Sequence, residues 1–150
     1  MQLVGNRPGT DAFRNAFLRE LLQRLPSWKS YVSENVQTHG LIEVPAPNRD
    51  DRPFTVDIRN DTVTVHPFCA FGFDYVFTCT SEDLEQRPHL VFKKLVSEIA
   101  DFASGATVVA IRRQKWLFMK AGWDVRFVPT LDADKARRIG ASIVAWPSKD

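Results

Sequence analysis

Phe54-Thr55-Val56-Asp57-Ile58-Arg59, then Asn60-Asp61, then Thr62-Val63-Thr64-Val65-His66: the fold of the chain turns on this run. Phe54, Val56, Ile58, Val63 and Val65 fall on every second position, with polar residues between them. A period of two places alternate side chains on opposite faces, so the run reads as two half-buried strands. Asn60-Asp61 has the residue types of a tight turn, which makes the strands an antiparallel hairpin. Upstream, residues 41–44 form a short strand before the proline-bounded loop from Pro45 to Pro53. Downstream, Phe71, Phe73, Tyr75 and Phe77 keep the same period and read as core packed against a helix. Gly72 and Asp74 then point to a wet face, or to one approached closely by another backbone.

Helical patterns flank this β region. Thr10 and Asp11 suit a helix start, and Phe13, Phe17, Leu18, Leu21, Leu22 and Leu25 recur at helical spacing until Pro26 stops them. The segment 27–32 forms a short second helix with Trp28, Tyr31 and Val32 on one side. Thr80 to Asp83 supply polar start signals for a long helix, with Pro88 in its first turn. Its apolar stripe is Leu90, Val91, Leu95, Ile99 and Phe102, with Phe92 and Val96 beside it, and Gly105 closes it. Residues 106–111 follow as a buried strand, 112–115 as a basic turn, and 116–120 as the hairpin partner. Gly122 breaks that strand before 123–128 alternates again. A short helix over 132–138 closed by Gly140 precedes a last strand with Ile143, Val144 and Trp146. The expected fold is α+β: one domain over 1–150, an antiparallel or mixed sheet with two amphipathic helices packed on one face.

The 150 residues are 44% apolar and 25% charged, which excludes disordered, collagen-like and coiled-coil chains. No apolar run reaches the roughly 18 residues of a membrane span, and the N-terminus has no secretory block, so the expected location is cytoplasmic. Two cysteines, Cys69 and Cys79, are too few for a secreted disulfide scaffold and read as small buried thiols. His66, Cys69, Cys79 and His89 could in principle hold zinc. Their wide spacing among phenylalanines lacks the tight knuckles of structural sites, so neither a metal nor a cofactor is expected. The seven glycines are scattered, and no phosphate loop or nucleophile elbow occurs. Nothing near either cysteine lowers a thiol pKa for catalysis with His39, His66 or His89. Glu43, Asp57, Asp61 and Asp74 are carboxylates of the kind any sheet scatters, so the chain reads as a non-enzyme.

Charge is unevenly laid out. Residues 31–80 carry seven acids against three bases, and residues 101–150 nine bases against five acids, within a net charge of +2. A two-signed surface suits recognition of a protein. The basic Arg112, Arg113, Lys115, Lys120 and Arg126 interleave with Trp116 and Trp123 as a single-strand-binding face would. The acidic first half of the sheet and the low net charge argue against nucleic acid.

The layout carries a resemblance: an amphipathic helix, a β-meander ending in the aromatic-rich strand from Val65-His66-Pro67-Phe68 through Phe77, a second helix, then Val108-Val109-Ala110-Ile111-Arg112-Arg113-Gln114-Lys115-Trp116. Over residues 10–125 it resembles small bacterial immunity proteins of polymorphic-toxin and contact-dependent growth inhibition systems. The aromatic strand lacks the His-x-His pairing of such proteins and the basic last third extends past the matched layout, so no site residue is carried over. The resemblance implies a cytoplasmic protein that binds one cognate toxin domain and blocks it without chemistry. Two other classes stand beside it: a small enzyme or ligand-binding domain with a pocket between sheet and helices, and a single-strand nucleic-acid module. The expected partner surface is acidic, with Asp57 and Asp61 flanking the hairpin, Asp74 on the polar sheet face, and Glu82, Asp83 and Glu85 beyond it. Arg112, Arg113 and Lys115 form the second choice.

Overall fold

The computed structural model describes residues 10–33, 39–47, 51–59, 62–77, 87–116 and 119–146. The protein is α+β, with helices and antiparallel sheets. Its chain divides into two compact units, Met1–Ser97 and Glu98–Asp150. Among the described residues no helix is long and apolar enough to cross a membrane.

In the first unit, α1 (Thr10–Arg24) buries Phe13, Ala16, Phe17 and Leu21. Pro26 cannot continue the helix and instead opens a 3₁₀ turn, Pro26–Tyr31, that buries Trp28 against Phe54 at 5.5 Å. Five strands follow: β1 (Val32–Ser33), β2 (His39–Val44), β3 (Phe54–Arg59), β4 (Thr62–His66) and β5 (Phe73–Val76). They form one antiparallel sheet in the order β1-β2-β3-β4-β5. The alternation of the opening run sets its two faces: Ile42, Val44, Phe54, Val56, Ile58, Val63 and Val65 are all buried, in a register pairing Val56 with Val65 and Ile58 with Val63. The turn residues Asn60 and Asp61 lie outside the described residues.

The aromatic strand is shorter than its period suggests, and Phe71, Phe73, Tyr75 and Phe77 are half-buried. An edge strand has a neighbour on one side only, so its rings keep part of their surface in water. Between β4 and β5 the chain bends through Phe68, whose φ of 54° is left-handed, a conformation rare for a bulky residue. The ring is buried 5.7 Å from that of Phe54, which offsets the backbone cost. Gly72 is required by a close approach: a Cβ there would collide with Nδ1 and Cε1 of His66.

The long helix α2 (Pro88–Ser104) begins at Pro88 and runs across the boundary between the two units. Its buried stripe is Phe92, Leu95, Val96, Ile99 and Phe102, at i, i+3, i+4, i+7 spacing. Leu90, expected in that stripe, is 55% exposed, and Val91 is half-buried. Three consecutive apolar residues allow either phase. Phe92 settles it by packing edge-on against Phe13 at 5.1 Å, Phe17 at 5.2 Å and Phe77 at 5.3 Å. Gly105 ends the helix as expected, with φ 85° and the paired bonds of a Schellman motif, Gly105 N–H to the Phe102 carbonyl and Ala106 N–H to that of Asp101.

In the second unit the strands form a separate sheet, where one sheet for the whole chain was expected. The strands β6 (Thr107–Trp116) and β7 (Met119–Pro129) make one long hairpin, and β8 (Ser142–Val144) pairs with β6 on its other side. Arg112 to Lys115 are therefore part of β6 and not a turn, and Gly122 continues β7 opposite Gln114. Phe102 packs on Phe127 at 5.8 Å and on Trp146 at 5.6 Å. A 3₁₀ turn, Thr130–Asp132, leads into α3 (Ala133–Arg138), and Gly140 at φ 91° ends it in a second Schellman motif.

Candidate functional site

The outer face of the five-stranded sheet is where the sequence reading and the structure meet. Residues of polar parity line up across the strands in rows. Asp57 of β3 pairs with Leu41 of β2 and Thr64 of β4, and Thr64 in turn with Asp74 of β5. A neighbouring row runs Glu43, Thr55, His66. Asp57 and Asp74 thus share one face, one strand apart, as their parity predicts.

Their states differ. Asp74 is exposed. Asp57 is half-buried: its Oδ2 accepts a hydrogen bond from Arg59 Nε at 3.0 Å, and its Oδ1 is shielded from solvent with no partner among the described residues. Arg59 lies two positions along the same strand, hence on the same face, and offsets much of the Asp57 charge. Glu43 is exposed on that face and was not in the expected partner set. The signal for it was available, since Glu43 sits between the inward Ile42 and Val44. Asp61, Glu82, Asp83 and Glu85 lie outside the described residues.

The basic alternative changes more. Arg112 and Arg113 are both exposed, but adjacent strand residues alternate, so they occupy opposite faces of the hairpin. Arg112 stands opposite Asp124, on the face that also carries Arg126, and Arg126 Nη2 pairs with Asp124 Oδ2 at 2.9 Å. Arg113 stands opposite the exposed Trp123. Lys115 follows in the same strand. The basic residues read from the sequence as one turn, and as one platform with Trp123, are thus divided between two faces.

Cys69 is half-buried, and its thiol donates to the Phe71 carbonyl at 3.3 Å. Burial pushes its pKa up, against the pull of Arg52, so the thiol is not activated as a nucleophile. Cys79 lies outside the described residues, as does the side chain of His89. Among the described residues no group of three His, Cys, Asp or Glu is placed to hold a metal ion. Set against protein-family models, curated proteins and solved structures, the chain matches none.

Proposed function

We propose that this chain is an immunity-type protein of the bacterial cytoplasm that binds one toxin domain and neutralises it by occupying a basic surface. The observation that supports this reading is the one-sidedness of the five-stranded sheet. Its inner face buries Ile42, Val44, Phe54, Val56, Ile58, Val63 and Val65, while its outer face presents Glu43, Asp57 and Asp74 against the single described cation Arg59. A rigid sheet face holding exposed like charges in fixed register is suited to steering and orienting a basic partner.

The test is rescue of growth. The chain is co-expressed with any toxin domain found encoded beside its own gene, and affinity is measured at two salt concentrations. The charge-reversal pair is Glu43→Lys with Asp74→Lys, because both residues are exposed and Asp57 is tied to Arg59. Rescue by the parent, with weaker and less salt-dependent binding by the double variant, supports the reading. Absence of binding by the parent refutes it, and binding unchanged by the double variant moves the contact off this face.

A further inference from the structure

The second unit holds a cavity, open to solvent on one side, that this reading does not use. The hairpin face carrying Ala110, Arg112, Asp124 and Arg126 meets α3, and a space of about 240 Å³ remains between them. Its apolar lining comes from Ala110 and Val128 on the hairpin and from Ala136 and Ile139 on the helical side. A simple packing gap would be closed by a larger side chain at either alanine. Ala110, Ala136 and Ala141 leave the space open, and Ile139, the largest apolar residue in the lining, is 53% exposed.

The charged groups around this lining are unequally satisfied. Arg126 is held by Asp124. Arg112 and Lys135 line the same space, and neither has an ion-pair partner among the described residues. Asp132 is the remaining acid. Three cations against two carboxylates leave the lining one positive charge in excess. A guanidinium beside an apolar wall is a carboxylate receptor in form: its planar fork accepts two oxygens at once while the wall takes the rest of the molecule. The volume lies below the roughly 300–1,000 Å³ of pockets that hold drug-sized ligands, so the occupant is about the size of one ring.

We infer that this cavity binds a small organic monocarboxylate, its apolar ring or branched chain seated against Ala110 and Ala136 and its carboxylate held by Arg112, with Lys135 beside it. Asp132 opposes a second negative charge and so selects monoanions over dianions. The site belongs to the second unit and the acidic sheet face to the first, so either proposal can fail without the other.

The experiment titrates the full chain with benzoate and follows backbone amide shifts by NMR. Acetate, which has the charge without the ring, and benzyl alcohol, which has the ring without the charge, are the comparisons. Benzoate is expected to saturate one site with shifts centred on Ala110, Arg112 and Ala136, and the comparisons to bind at least about tenfold more weakly. Arg112→Ala is expected to weaken benzoate about tenfold. Ala136→Leu occupies part of the space where the ring sits and is expected to weaken benzoate at least about tenfold while thermal unfolding stays unchanged or moves up. Non-saturating shifts, an equal response to benzyl alcohol, or unchanged affinity in the two variants would overturn the inference.

Discussion

Replacing Phe92 with alanine removes the ring at the centre of a four-phenylalanine cluster. Phe92 is 0% exposed, and its ring meets those of Phe13, Phe17 and Phe77 at 5.1, 5.2 and 5.3 Å with interplanar angles of 88°, 80° and 81°. Truncating a buried phenylalanine to alanine costs about 3–5 kcal/mol through lost transfer energy and the cavity left behind. Edge-to-face pairs add about 0.5–1.5 kcal/mol beyond area, though three pairs sharing one ring do not add independently. The expected loss is therefore at the top of the range, about 4–5 kcal/mol, a large share of the 5–15 kcal/mol that stabilises a typical protein. Phe92→Leu keeps most of the apolar volume and loses the ring geometry, so it should cost about 1–2 kcal/mol. Urea unfolding followed by circular dichroism measures both. A loss under about 1.5 kcal/mol for Phe92→Ala, or equal losses for the two variants, would refute the central place given to this ring.

Three further outcomes follow from the same geometry. Leu95→Ala should cost about 2–5 kcal/mol, and Leu90→Ala, at an exposed position of the same helix, under about 0.5, so similar losses in urea unfolding would mean the stripe is misphased. Gly72→Ala should destabilise by about 1–3 kcal/mol because His66 has to move, whereas Gly122→Ala, which meets nothing within 4 Å, should be neutral or gain up to about 1 kcal/mol. In a Cys79→Ser background, Cys69 should react with iodoacetamide more slowly than an unfolded cysteine, with its rate rising only at higher pH. The folded thiol holds its proton more tightly, so its contribution to stability is complete below the unfolded pKa and is lost as pH climbs through the folded value. Ordinary reactivity at pH 8 would show that the burial of Cys69 has been misjudged.

What the sequence discloses is set by how local each signal is. The period of two in Phe54 to Val65 names the buried face of the hairpin, because parity survives any packing. Gly105 and Gly140 mark helix ends because left-handed backbone is a local demand. The phase of α2 is not local: Leu90-Val91-Phe92 offers two stripes, and only the rings of α1 choose between them. Arg112 to Lys115 look like a turn by polarity, yet they continue β6, where Arg112 and Arg113 reach water. The Asp57–Arg59 pair was readable as opposite charges two apart on one strand face. The cavity under α3 was not, because it arises where Ala110 and Ala136, 26 positions apart, come to line one space.

The strand order of the first sheet has a kinetic consequence. Each of the five strands pairs with its neighbour in the chain, so no pairing waits for a distant segment and the loop entropy of closure is small at every step. The sheet can be laid down in the order in which a ribosome delivers it. In the second sheet β8 must pair with β6 across the intervening β7 and α3, so its last pairing closes a longer loop. During synthesis the acidic face can exist before β8 has been made.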